Sequence, residues 1–121
     1  MPHIAIIGAD RARDLAGALG SFAEERPPFV AKIQDTYLSQ DGRRLLLEAL
    51  VVEGYLRQNF FLLVRDEEEG VLIRCHPSSS VQKTDGVKTL IAMLARRCLE
   101  LRPDSRMGRT NLQTWLDRLD S

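Results

Sequence analysis

The sequence predicts a two-layer α+β domain whose centre is a four-stranded antiparallel meander between Phe29 and His76. Three observations carry that expectation. Asp41-Gly42 separates two alternating segments, Phe29 to Gln40 and Arg43 to Glu53, and Asp-Gly suits a two-residue type I′ hairpin turn. Glu53-Gly54 offers a second turn of the same kind, and the acidic run Asp66 to Gly70 a third. The segments outside the meander repeat apolar residues at helical spacing and supply the second layer.

These turns set a register. The first pairs Leu38 with Leu45, Tyr37 with Leu46 and Ile33 with Leu50; the second pairs Val52 with Tyr55 and Leu46 with Phe61. A five-residue third turn sets Arg65 opposite Val71 and Phe61 opposite Cys75. Side chains alternate along a strand. One face therefore collects Phe29, Ile33, Tyr37, Leu46, Leu50, Phe61 and Ile73, and the other Leu38, Leu45, Leu47, Phe60, Leu62 and Leu72. A sheet with one wet face alternates apolar and polar residues. Leu45 to Val52 barely alternates, so both faces are expected to be covered. A helix over Asp41 to Leu56 is the competing reading; Val51-Val52, Gly54 and the Asp-Gly turn weigh against it.

In chain order, His3 to Gly8 reads as a short strand. Asp10 can cap a helix running to about Glu25, with Ala12, Leu15, Ala16, Leu19, Phe22 and Ala23 on one stripe, ended by Pro27-Pro28. Strand, Gly8 and helix together resemble the opening of a dinucleotide-binding unit. That fingerprint needs three glycines, and only Gly8 stands here. After the meander, Pro77 to Ser80 is a loop. Asp85 to Leu101 is a long helix capped by Thr84 or Asp85, with Val87, Leu90, Ile91, Leu94, Ala95, Cys98 and Leu101 facing a sheet. Arg102-Pro103-Asp104 breaks the chain. Thr110 and Gln113 have capping-box spacing and open a short last helix carrying Leu112, Trp115, Leu116 and Leu119. The expected order is β-α-β-β-β-β-α-α, and its first seven elements, β-α-β-β-β-β-α, are similar, in order alone, to those of TBP-like and helix-grip proteins. Element order does not fix function.

Residues 1–121 are expected to form a single domain. An apolar fraction of 44% with 28% charged residues fits an ordinary globular protein. Seventeen basic residues balance 17 acidic ones, which argues against broad capture of nucleic acid or anionic membrane. Two cysteines make no disulfide framework. No signal peptide or membrane span is read, so a cytoplasmic location with reduced thiols is expected.

The register places Asp35 opposite Glu48 and Glu48 opposite Asn59, with Arg57 one diagonal step away. Adjacent carboxylates raise one pKa, as general acid–base work requires, whereas Arg57 would hold both charged. A structural ion-pair cluster explains these four residues as well. No nucleophile–base pair, metal site or cofactor motif is read. His3 and His76 are too isolated to ligate a metal, and Cys98 falls on an apolar stripe. Ser78 to Ser80 with Lys83 could hold an anion at a helix N-terminus, though a solvated loop is the simpler reading. Arg96, Arg97, Arg102, Arg106 and Arg109 are the best candidate anion-binding patch, without the aromatic interleaving of single-strand binders.

Burial decides among the functions. Two main helices cannot cover two apolar sheet faces, and a bare apolar patch is unusual on a monomer. The expectation is a non-enzymatic interaction module that forms a homodimer, or docks a protein partner, through Leu47, Phe60 and Leu62. The alternative is a small-molecule binding protein with a helix-over-sheet cavity. An enzyme using Asp35 and Glu48 is the third reading.

Overall fold

The computed structural model describes residues 1–120. Its elements are β1 (His3–Ile7), α1 (Ala12–Ala18), β2 (Phe22–Arg26), β3 (Phe29–Leu38), β4 (Arg44–Glu53), β5 (Leu56–Glu67), β6 (Gly70–Cys75), α2 (Asp85–Leu101), β7 (Arg106–Thr110) and α3 (Gln113–Arg118). Seven strands form one antiparallel sheet in the order β2-β3-β4-β5-β6-β1-β7. The sheet curls into a half-barrel. This corrects the expected four-stranded meander of a two-layer sandwich: the chain is mostly strand, and three strands lie outside the meander.

Two of the added strands come from segments without a strand signature. The expected helix to Glu25 stops at Ala18, because Gly20 takes a positive φ of 61° and turns the chain. Phe22–Arg26 then pairs with β3 as an edge strand. Arg106–Thr110, between the break at Arg102-Pro103-Asp104 and the expected last helix, pairs with β1 at the other edge. Thr110 therefore ends a strand and opens no capping box. Its hydroxyl donates to the His3 carbonyl (2.8 Å) and accepts from the Leu112 amide (2.9 Å). The short N-terminal strand is placed inside the sheet, between β6 and β7.

The register differs from expectation in three places, each with a local cause. Leu38 pairs with Leu45 as expected, but the loop runs from Ser39 to Arg43, with Gly42 at φ 74°. The Asp41 carboxylate accepts from the Ser39 hydroxyl (2.6 Å) and the Arg43 amide (3.0 Å), and these bonds lower its pKa. A bulge at Gln34 then shifts β3 by one residue, so Ile33 faces Ala49. The second turn places Val52 opposite Arg57, two residues from the expected partner, which preserves the faces. The third turn is shorter than expected. Glu67 pairs with Gly70 and Leu62 with Cys75, a one-residue slip that turns β6 over.

All helical cover goes to one face. α2 packs on β1, β3, β4 and β6, and α1 on β3, β4 and β5. α2 begins where expected: the Thr84 hydroxyl accepts from the Val87 amide at 3.3 Å, and the Glu53 carboxylate takes the Thr84 hydroxyl and the Gly86 amide (3.2 Å). Ile4, Ile6, Ile33, Leu45, Leu47, Leu62, Val64 and Ile73 meet Leu90, Ile91, Leu94 and Cys98 in one core. Leu47, Phe60 and Leu62, the expected interface, lie inside it at 0%, 5% and 0% exposure. They are core residues, and no partner can reach them. Ala5, Leu50, Leu63 and Leu72 are also buried but stand outside this core, on the outer face of the sheet.

Candidate functional site

The outer face carries the side chains that alternate away from the helices. Its centre is a row across three strands, Tyr37 beside Leu46 beside Leu63. Phe61 lies one step along β5, its ring edge-on to Tyr37 at 6.4 Å between centroids. Tyr37 is 47% exposed and Phe61 37%; Leu46 and Val52 are half-buried. Lys32, Arg44, Arg57, Arg65 and Arg74 alternate onto the same face around this row.

Asp35 and Glu48 face each other across β3 and β4, as the sequence predicts. Glu48 faces Phe61 instead of Asn59, which pairs with Leu50; Arg57 pairs with Val52. The four residues thus do not form the expected contiguous quartet. Glu48 accepts a hydrogen bond from the Tyr37 hydroxyl at 3.2 Å, and the Asp35 carboxylate accepts from the Thr36 amide at 2.8 Å. The bond to Glu48, then the charges of Asp35 and Glu48, push the Tyr37 phenol above its ordinary pKa. Sequence reasoning missed Tyr37 as the residue that holds Glu48, although the two stand on neighbouring strands. Glu48, Arg57 and Asn59 do share one open groove of about 510 Å³, walled by Phe60, Phe61 and Ser79.

The arginines do not make one anion patch. Arg96 forms a two-pronged pair with Asp120 (2.7 and 3.1 Å), and Arg97 stacks over the Phe22 ring at 3.8 Å. Arg102 reaches Asp10 at 3.5 Å, and Arg109 reaches Glu67 at 3.0 Å. Arg106 stands exposed on β7. The α2 N-terminus is likewise taken by Glu53 and Thr84, so the Ser78–Lys83 loop frames no free anion site there.

One contact was not legible in the sequence. The His76 Nδ1 lies 2.6 Å from the Ser78 hydroxyl and accepts the Ser78 amide at 3.1 Å. A nitrogen that accepts the chain two residues on closes a turn, and among the described residues no carboxylate orients the ring from its other side. No cluster of three or more metal-ligating side chains forms among the described residues. Among the same residues, no helix is long and apolar enough to cross a membrane. Cys98 and Cys75 are buried and their thiol pKa values are raised by that burial, Cys98 to about 12.

No protein-family model, curated protein or solved structure matches this chain.

Proposed function

We propose that the chain is a non-enzymatic interaction module that self-associates through the outer face of its sheet, two copies stacking face to face. The observation that carries this reading is the exposed pair Tyr37 and Phe61 beside half-buried Leu46, on a face that receives none of the helices. A stripe of this kind is unusual on a monomer. At about 4.8 Å between strands and 3.3 Å per residue, about eight residues on each of β3, β4 and β5, with the short β6 and β1 beside them, present about 550 Å² in projection. A standard interface buries about 800 Å² per partner. An apolar centre with a charged rim is also the anatomy of a protein interface. A second copy suits the face because it brings the same apolar row, and because Asp35 and Glu48 give the basic rim an acidic counterpart.

The carrier reading has less support. Val87, Leu90, Ile91, Leu94 and Cys98 fill the space between α2 and the sheet and are fully buried. Sedimentation equilibrium of the wild type and Leu46→Glu tests the proposal. The wild type should sediment at twice the 13.7 kDa chain mass and the variant at the single mass. A wild type that stays at the single mass at high micromolar concentration defeats it.

A further inference from the structure

β5 outruns β6, and the uncovered part of its edge opens into the groove described above. β6 ends at Cys75, opposite Leu62, whereas β5 begins at Leu56. The Phe61 carbonyl still accepts the His76 amide (2.8 Å), and its amide donates to the Ser79 hydroxyl (3.1 Å). Phe61 therefore points both backbone groups away from β4. Backbone direction alternates in an antiparallel ladder. Asn59 and Arg57 must point theirs the same way, beyond the end of β6. Among the described residues neither has a hydrogen-bond partner on that side. The following loop bypasses them: it touches β5 at Phe61, then at Gln58, whose side chain exchanges two bonds with the Gln82 backbone (2.8 and 3.1 Å).

We infer that this edge docks an extended peptide segment of a partner protein, added to β5 as a short strand, with an acidic side chain of the segment held by Arg57. Four backbone groups, the N–H and C=O of Arg57 and of Asn59, supply the ladder. Such an open edge is a template for strand addition. Arg57 supplies the charge preference: it is exposed and makes no ion pair among the described residues. Glu48, which lines the same groove, accepts from the Tyr37 hydroxyl and makes no ion pair with Arg57. The inference rests on reading the chain as an interaction module; it does not need the chain to dimerise.

The test selects binders from a displayed library of random octapeptides against the full chain, then titrates the enriched synthetic peptide into labelled protein. The expected result is enrichment of peptides containing Asp or Glu, with amide shifts at Arg57 and Asn59. Asn59→Pro removes an edge donor that faces away from β4 and should weaken binding by about tenfold. Arg57→Ala should weaken it similarly, and Arg57→Lys less. Asn59→Pro, outside the charged rim, should keep the wild-type mass in sedimentation, as Leu46→Glu does not, so a failed dimer and a failed peptide site read out separately. No enrichment, or peptide shifts confined to Tyr37 and Leu46, overturns the inference.

Discussion

Leu62→Ala and Leu46→Ala, compared side by side, test which face of the sheet is the core. Leu62 is fully buried between the sheet and α2, with Leu47 beside it on β4 and Cys75 on β6. Truncating a buried Leu costs about 2–5 kcal/mol, from lost transfer energy and the cavity left behind. Leu46 is half-buried on the outer face, and its truncation should cost about 1 kcal/mol. For a chain of 121 residues, 1 kcal/mol moves Tm by about 3–6 °C. Leu62→Ala should therefore lower Tm by about 10–20 °C and Leu46→Ala by about 5 °C or less. Calorimetry at low protein concentration is the assay, because self-association would add its own stabilisation to the Leu46 side. A larger loss at Leu46 than at Leu62 would refute the assignment of faces.

Two further outcomes follow from the titrating groups. Tyr37 should ionise above the ordinary tyrosine value of 10.0, because its hydroxyl donates to Glu48 beside a second carboxylate. In Glu48→Gln its midpoint should fall back towards 10, read from tyrosinate absorbance; an unchanged midpoint would remove the Glu48 bond from the account. The Cys98 thiol should resist a disulfide reagent in the native chain and react on unfolding, since burial holds its pKa at about 12. The unfolded thiol ionises near 9, so stability should fall as pH rises from about 9 towards 12; native reactivity at neutral pH would contradict the burial.

The strands of the meander and the whole of α2 were legible because their apolar spacing is long and regular and Thr84 supplies a cap. Which face each strand presents was not legible. One extra residue at Gln34 and a Glu68-Glu69 turn three residues shorter than expected each reverse a strand, and neither leaves a mark in hydrophobic pattern. The β3 bulge is held from a distance, by the Ser21 hydroxyl donating to the Gln34 carbonyl at 2.9 Å. β2 and β7 escaped because edge strands here are short and charged, Glu24-Glu25-Arg26 on one and Arg106 with Arg109 on the other. At the candidate site, the Asp35–Glu48 pairing was legible from the turn, because the register between the bulge and the loop is the expected one. The open edge at Arg57 and Asn59 was not, since it depends on β6 being shorter than β5 and on where the following loop runs.

Native mass spectrometry of the purified protein bears most directly on the claim that a second copy covers the outer face. The account predicts a species of twice the 13.7 kDa chain mass with nothing added, converted to the single mass by Leu46→Glu. A single chain that retains a bound small molecule would contradict it.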